Sequence, residues 1–230
     1  MRAGLKVLFV ALFVSLAVVG SAEARCGDRA ITRPDLITLL PTPPSPGSDA
    51  DRADHAALVE LQKARTPELA ARVEADRPID AFRFADVIGP EFNRETLPAT
   101  AALLDRLDDY VKAPIAAAKD FWCRPRPKPG DGFEPLFRSR GSSYPSGHNA
   151  FGRFAAIILS ELYPEKRAAL FARGDVYGDA RIQAGVHYPS DAAAGRLAGT
   201  LIAQVALADP SFVVALERAR DEIRLRSALD

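Results

Sequence analysis

One short stretch of the chain, Gly178 to Asp191, brings an arginine, a histidine and an aspartate together. Proline fits the first position of a helix, so His187, which stands just before Tyr188-Pro189, is predicted on the turn that precedes a helix. Asp191 then lies in the first helical turn and faces back toward His187. A carboxylate that accepts the Nδ1 proton of a histidine leaves Nε2 unprotonated. His187 is therefore predicted to be a nucleophile that Asp191 orients.

Three basic side chains stand at spacings that could gather them around an anion. Arg181, in the same stretch, would supply a planar, permanent cation for phosphoryl oxygens. Lys119 and Arg126 lie seven residues apart, and they converge if the chain bends at Pro125. Basic residues at this spacing are also typical of a solvated surface, so their assignment depends on the other motifs.

The tetrapeptide Pro145 to His148 lies where a loop is predicted to meet a helix. Helix N-termini present free N–H groups and the positive end of the helix dipole. Ser146 and the amides of Gly147 and His148 are therefore predicted to form an anion cradle. An ordinary serine cap followed by a permissive glycine would have the same sequence, so this motif alone does not establish the site.

The elements that must position these residues are all predicted to be helices. Thr66-Pro67 is typical of a helix start, and a helix containing Leu103, Leu107 and Val111 is expected to end or kink at Pro114. Pro129 to Tyr144 is rich in turn-forming residues and is predicted to be a loop packed near the site. The later helices are predicted at Gly147 to about Leu162, about Glu165 to Ala184, Pro189 to about Ala208, and from Asp209-Pro210-Ser211 onward. Gly174 and Gly178 would let a neighbouring helix approach closely.

The first residues predict export. Arg2 and Lys6 are followed by an apolar run from Val7 to Gly20 and by the small-residue cleavage site Ala22-Glu23-Ala24. Residues 1–24 are therefore interpreted as a signal peptide, which gives a periplasmic or secreted protein. Residues 25–230 are predicted to form one domain, in which the Pro-rich segment 25–50 lies extended as an N-terminal strap.

Composition limits the partners of this chain. It has 30 Lys and Arg against 30 Asp and Glu, so no overall field attracts nucleic acid or anionic lipid. The most apolar later segment, Ala192 to Ala208, contains Arg196 and Gln204 and is predicted to be a buried core helix. We expect no stable membrane anchor after signal cleavage, while a homo-oligomer stays open.

The motifs together resemble a known family. The pattern Lys-x6-Arg-Pro, Pro-Ser-Gly-His and Arg-x5-His-x3-Asp closely resembles the type 2 phosphatidic acid phosphatase superfamily, which also includes the vanadium haloperoxidases. The signal peptide, the Pro-rich strap and the lack of later spans look most like its soluble branch, the bacterial class A non-specific acid phosphatases. One position departs from the family pattern: Ala180 stands where a phosphate-binding serine is usual.

The resemblance implies an all-α, single-domain helical bundle of the type 2 phosphatidic acid phosphatase/vanadium haloperoxidase type. It implies an acid phosphatase acting on small phosphate monoesters through a phosphohistidine at His187, with no metal or other cofactor. His148 would protonate the leaving group and later activate water. Both histidines start from a pKa of about 6.5, so an optimum on the acid side of neutral is expected. Five groups would hold the phosphate: Lys119, Arg126, Ser146, the Gly147 amide and Arg181.

Other functions stay open from the sequence. Within enzymes, the alternatives are a vanadate-dependent haloperoxidase and a lipid or lipid-diphosphate phosphatase, because the motifs say little about the rest of the substrate. A phosphate-binding protein without turnover would leave His148 and His187 without a purpose. His55 belongs to no motif and is predicted to be a surface residue. Cys26 and Cys123 either form a disulfide or stay free buried thiols.

Overall fold

The computed structural model describes residues 34–130, 132 and 134–228, and the regular structure within these residues is helical. The all-α prediction is confirmed. Two 3₁₀ turns interrupt the α-helices, at Ala81–Phe84 and Pro164–Lys166, and the second makes α7 begin two residues later than predicted. The helices are α1 Leu36–Leu39, α2 Asp49–Lys63, α3 Pro67–Ala75, α4 Ala85–Ile88, α5 Pro98–Trp122, α6 Gly147–Leu162, α7 Arg167–Gln183, α8 Pro189–Ala208 and α9 Pro210–Ser227.

Helix α6 lies at the centre of the fold, between α7 and α8, and α5 packs against both α6 and α9. The contact with α7 is a close backbone approach. A Cβ atom on Gly174 would stand 2.6 Å from the carbonyl oxygen of Gly152, and one on Gly178 would stand 2.7 Å from Cα of Asn149. The close approach predicted at Gly174 and Gly178 is therefore present, and larger residues there would push apart two helices that carry the site.

Several helices begin where local sequence chemistry predicts. Ser146 caps α6 by accepting from the amide of Asn149, and Thr66 caps α3 in the same way. Asp209 caps α9, and Pro189 occupies the first turn of α8. These caps fix the places where the loops preceding α6 and α8 enter their helices, and both places lie at the candidate site.

Of the two outcomes predicted at Pro114, an end or a kink, the helix end does not occur. Helix α5 continues through Pro114 to Trp122, because Val111 and Ile115 are buried on either side of the proline and packing offsets the missing backbone hydrogen bond. The chain turns instead at Cys123, whose φ of 49° is left-handed. The bend expected at Pro125 therefore occurs two residues earlier.

The segment that precedes α2 is only partly extended. The predicted signal peptide and Cys26 lie outside the described residues. Within the predicted strap of residues 25–50, α1 forms one helical turn, capped by Asp35, and buries Leu36 in the main core. Residues 41–45 have no regular structure, and the carbonyl of Pro41 accepts a hydrogen bond from the hydroxyl of Tyr144. The strap is thereby tied to the loop that leads into α6.

Within residues 34–228, apart from 131 and 133, no single helix combines the length and the apolar character needed to cross a membrane. Helices α8 and α9 satisfy this test only as a pair, which is bent by 90°.

Candidate functional site

The site is built around the pair of His187 and Asp191. Nδ1 of His187 lies 3.2 Å from Oδ2 of Asp191, and both side chains are buried. The same carboxylate oxygen accepts from the backbone amide of Tyr188 at 2.9 Å, so Asp191 also caps the helix on which it lies. The contact predicted from the four-residue spacing is present, and the helix start fixes its geometry.

Arg126 determines which nitrogen of His187 carries the proton. Its Nη1 lies 3.0 Å from Nε2 of His187 and donates to the carbonyl of Val186 at 2.7 Å. A guanidinium has only donors, so Nε2 must accept and the proton of the neutral ring must sit on Nδ1, toward Asp191. The structure therefore supports the tautomer expected of a nucleophile. Nε of Arg126 donates to the carbonyls of Arg140 and Gly141, in the loop before α6.

Lys119 reaches the same region from the last turn of α5. Its Nζ donates to the carbonyls of Ser142 at 2.6 Å and Ser143 at 3.1 Å. Burial, and then the nearby charge of Arg126, lower the pKa of Lys119 to about 7. Its charge is therefore lost close to neutral pH unless an anion binds beside it.

Arg181, on α7, is buried and incompletely bonded. Its guanidinium lies 4.7 Å from the centre of the Phe137 ring, and its Nη1 is a buried donor that finds no hydrogen-bond partner among the residues the structure describes. Burial lowers the pKa of Arg181 to about 10, so the side chain stays charged at neutral pH. An unsatisfied buried donor is unfavourable, and a bound anion would satisfy it.

Ser146 and Gly147 lie at the start of α6, beside the pair of His187 and Asp191. The backbone amide of Ser146 donates to the carbonyl of Asp191 at 3.0 Å, which joins the starts of α6 and α8. A Cβ atom on Gly147 would make only an ordinary 3.7 Å contact with Ile115, so packing within the chain does not itself require glycine there.

His148 lies half-buried on the first turn of α6. Its Nε2 is 3.0 Å from the carbonyl oxygen of Arg77, and its ring stacks on Tyr177 with centroids 5.8 Å apart. Burial, and then the charge of Arg181, lower the pKa of His148 to about 3. The unperturbed pKa assumed from the sequence is therefore wrong for the protein without a bound anion.

The pKa values of the central pair move in compatible directions. Burial lowers the pKa of His187 to about 3, with the charges of Arg126 and Lys119 acting the same way and Asp191 opposing them. Burial raises the pKa of Asp191, but contacts with His187 and Arg124 outweigh it and hold that pKa below its usual value. At neutral pH the pair is a neutral imidazole beside a carboxylate.

Sequence reasoning missed Arg124. Its Nη1 donates to Oδ1 of Asp191 at 2.8 Å and to the hydroxyl of Ser190 at 2.6 Å, while Nη2 donates to Asp54 at 2.8 Å. Asp54 in turn accepts from the amide of Ser190 at 3.0 Å. The only sequence signal is its place two residues before Arg126, and nothing local shows that it faces Asp191.

His55, predicted to be a surface residue, is partly exposed and also contacts Tyr188. It is half-buried on α2, with Nε2 3.2 Å from the hydroxyl of Tyr188 and ring centroids 4.8 Å apart. Helix α2 packs against α7 and α8, and the Tyr188 ring at the start of α8 contacts the imidazole.

Ala180, the departure from the family pattern, lies in an apolar environment. It is 2% exposed and packs with Val73, Ala184 and Val186, with Phe137 against the same cluster. The Arg181 guanidinium lies 4.7 Å from the centre of the Phe137 ring, so the cluster extends to this arginine.

Two further predictions meet the structure only in part. Cys123 is exposed, not buried as the free-thiol alternative assumed, while Cys26 lies outside the described residues, so their disulfide stays a prediction. Among the residues that the structure describes, no group of three or more His, Cys, Asp or Glu side chains is arranged to hold a metal ion.

The charges of the site act on one another. Beyond burial, Arg126 lowers the pKa of Lys119, His148, Arg181 and His187, so these side chains share one electrostatic environment. Lys119, Arg126 and Arg181 can each donate further hydrogen bonds, and they lie around the neutral imidazole of His187. This arrangement suits a tetrahedral dianion that is held in place while the imidazole attacks it. The arrangement is therefore suited to bind a phosphate ester and to transfer its phosphoryl group to a histidine.

Comparisons with known proteins agree with this chemistry. Residues 107–213 match the PAP2 superfamily. The chain is 33% identical to a non-specific acid phosphatase of Salmonella typhimurium over 81% of this chain and 80% of the relative. It is 28% identical to a non-specific acid phosphatase of Providencia stuartii over 96% of this chain and 98% of the relative. A transmembrane PAP2-type phosphatidylglycerolphosphate phosphatase from Bacillus subtilis shares the fold, with a TM-score of 0.51 and 20% identity over 69% of this chain and 85% of that one.

Proposed function

The chain belongs to the PAP2 superfamily, among its bacterial non-specific acid phosphatases, and we propose that it hydrolyses phosphate monoesters through a phosphohistidine on His187 after export from the cytoplasm. The observation that carries the proposal is the pair of contacts that the two ring nitrogens of His187 make. Nδ1 faces Asp191 at 3.2 Å and Nε2 accepts from Arg126 at 3.0 Å, so the lone pair already faces a phosphate-binding cation.

The phosphate oxygens are held by three cations and a helix start. Arg181 offers the buried Nη1, which has no partner among the described residues, while Lys119 approaches from α5 and Arg126 from the loop that follows α5. The Ser146 hydroxyl and the Gly147 amide complete the set at the N-terminus of α6. Donors fixed before the substrate arrives need no reorganisation as charge develops in the transition state.

In the first step, His187 attacks phosphorus. Arg126 transfers its hydrogen bond from Nε2 to a phosphate oxygen, which frees the lone pair. The Nε2–phosphorus bond forms as the bond from phosphorus to the ester oxygen breaks, and His148 gives its proton to the departing alkoxide. Asp191 stabilises the positive charge that the phosphorylated imidazole acquires.

In the second step, water resolves the intermediate. His148, now neutral, takes a proton from the water that attacks phosphorus. The Nε2–phosphorus bond breaks and inorganic phosphate leaves with His187 restored. Both histidines end the cycle in their starting protonation states.

The low pKa of His148 bears on the source of the acid proton in the proposed mechanism. At about 3, that pKa leaves the ring neutral in the protein without an anion. A phosphate monoanion can bring the proton with it, and the negative charge of the bound phosphate then favours the imidazolium. An acid-side optimum follows from this coupling, rather than from an unperturbed histidine.

Rapid-quench labelling of two variants tests the mechanism. His187→Ala should abolish turnover even for aryl phosphates, because no phosphoryl acceptor remains. His148→Ala should still phosphorylate itself with an aryl phosphate, since a phenolate needs little protonation to leave, and should release phosphate slowly. An acid-labile, alkali-stable phosphate should therefore accumulate on His187 in this variant.

Label on His148 would reverse the two roles. No covalent phosphate in either variant, with equal losses for activated and unactivated esters, would favour direct attack by water.

Export and substrate size rest on the sequence and on the relatives. We expect the natural protein to act on small soluble esters in the periplasm or outside the cell. N-terminal sequencing of the protein recovered from the cell exterior or periplasm should begin at Arg25. An active protein that retains Met1 and remains with the cytoplasm would contradict export.

A further inference from the structure

The contact between His148 and Arg77 identifies the proton-carrying atom of His148. Nε2 lies 3.0 Å from the Arg77 carbonyl oxygen, and a carbonyl can only accept, so Nε2 carries a hydrogen in every protonation state of the ring. We infer that His148 exchanges protons with substrate through Nδ1, and that the Asp76–Asp80 turn and Tyr177 are the positioning elements that hold the ring for this. The acid and base role of His148 itself rests on the proposed function.

The Asp76–Asp80 turn, residues 76–80 after α3, is held in place by the buried carboxylate of Asp76. This carboxylate is fully buried and accepts from both terminal nitrogens of Arg173, at 2.8 and 2.9 Å. Arg83 donates to it as well, at 3.0 Å. A bidentate guanidinium contact fixes orientation as well as distance, so the peptide that follows Asp76 has little freedom. The Arg77 carbonyl is thereby presented to His148 in one direction.

Tyr177, on α7, holds both the turn and the histidine. Its hydroxyl donates to the carbonyl of Pro78 at 2.6 Å and accepts from the amide of Asp80 at 3.3 Å. Its ring, which is fully buried, stacks on the His148 imidazole at an interplanar angle of 20°. One side chain therefore sets the plane of the imidazole and the position of the carbonyl that its Nε2 contacts.

This arrangement lets His148 act in both steps without a flip of its imidazole ring. In the acid step both ring nitrogens carry hydrogens. Nδ1 gives its proton to the leaving oxygen, while Nε2–H keeps its hydrogen bond to the Arg77 carbonyl. In the base step the lone pair of Nδ1 accepts a proton from water, again with Nε2–H in place. The carbonyl contact also favours the imidazolium against burial, so it supports the protonated state that the first step needs.

Nuclear magnetic resonance of the ring nitrogens tests the atom directly. The protein has 3 histidines, so labelling histidine with nitrogen isotopes gives few signals, and His55→Gln and His148→Ala assign them. In the unliganded protein at about pH 7, neutral His148 should be the Nε2–H tautomer. The Nδ1–H tautomer would overturn the inference. This result does not depend on any phosphohistidine, so it separates failure of the inference from failure of the proposed mechanism.

Kinetics of Tyr177→Phe test the positioning role. The variant keeps the stacked ring and loses the hydroxyl that holds Pro78 and Asp80. We expect kcat to fall about tenfold for an alkyl phosphate, whose leaving group needs a proton, and much less for an activated aryl phosphate. Tyr110→Phe is the matched control, because its hydroxyl bonds Asp209 at the junction of α8 and α9. It should reduce neither rate.

In a His148→Ala background the selective loss from Tyr177→Phe should disappear, because no ring remains to be positioned. Equal losses for both esters in Tyr177→Phe, or a selective loss that persists without His148, would contradict the positioning role.

Discussion

Arg124 donates from Nη1 to Oδ1 of Asp191 at 2.8 Å, while the other oxygen of that carboxylate faces Nδ1 of His187 at 3.2 Å. Both oxygens of Asp191 are therefore occupied, one by His187 and one by the buried guanidinium of Arg124. Arg124 is held in turn by Asp54 on α2. The orientation of His187, the proposed nucleophile, thus depends on a helix that contributes no residue to the proposed phosphate-binding set.

Removing Arg124 should slow phosphorylation of His187. We expect Arg124→Ala to lower kcat by about 10- to 100-fold, as for other residues that orient a reacting group. Because Asp191 and Asp54 would then be buried without their cation, we also expect a loss of about 3 to 5 kcal/mol in the free energy of unfolding. Burst kinetics with an aryl phosphate and chemical denaturation measure the two effects.

Arg124→Lys keeps the charge but cannot reach Asp191 and Asp54 together, so its kcat should lie between those of the wild type and Arg124→Ala. Arg220→Ala is the control, since Arg220 pairs with partly exposed Glu161 away from the site. A burst rate in folded Arg124→Ala equal to that of the wild type would show that Asp191 needs no such partner.

The lowered pKa of Lys119 predicts how anion affinity changes with pH. Below a pKa of about 7 Lys119 is charged, and above it the charge is lost, so affinity should fall as pH rises. Sulfate is a suitable competitive inhibitor because it does not titrate here. Between about pH 7 and about pH 9 its inhibition constant should rise by up to roughly tenfold per pH unit.

Lys119→Arg should remove this dependence, because a guanidinium stays charged throughout the range. In the free protein, His148 and His187 have pKa values near 3 and Arg181 near 10. Lys119 is therefore the site residue expected to titrate between about pH 7 and about pH 9. An unchanged slope in Lys119→Arg would assign the titration to another group.

Hydrolysis should not require a divalent metal. Three basic side chains, Lys119, Arg126 and Arg181, can neutralise a phosphate dianion without one. Dialysis against EDTA should leave kcat and KM for an aryl phosphate unchanged, and added magnesium or zinc should restore nothing. Activity that disappears in EDTA and returns with metal would show that a metal takes part.

The parts of the fold that sequence predicts well are those that neighbours in the chain determine. The caps at Ser146 and Asp209 and the proline start of α8 depend on hydrogen bonds within one helical turn, and these helix starts are confirmed. The contact of His187 with Asp191 has the same local origin, since the two are four residues apart at a helix start. The helix does not end at Pro114, because tertiary packing outweighs the local preference of the proline.

The parts that sequence could not give join distant segments. Arg124 and Asp54 are 70 positions apart, and His148 and Arg77 are 71 apart, with no local pattern that pairs them. The low pKa values of both site histidines have the same cause, because burial follows from the packing of whole helices and not from neighbouring residues. The motifs therefore predict which groups react, while the protonation and support of those groups follow only from the three-dimensional fold.

Ala180→Ser restores the residue usual in the family, and we expect no gain from it. Ala180 is packed among Val73, Ala184 and Val186, so a hydroxyl there would be buried among apolar side chains. The free energy of unfolding should fall by about 1 to 3 kcal/mol if the hydroxyl finds no partner, and KM for an aryl phosphate should not improve. Ala180→Gly is the control for the loss of packing alone. A lower KM in Ala180→Ser, with stability retained, would show that the hydroxyl reaches the phosphate and that the cluster around Phe137 rearranges to admit it.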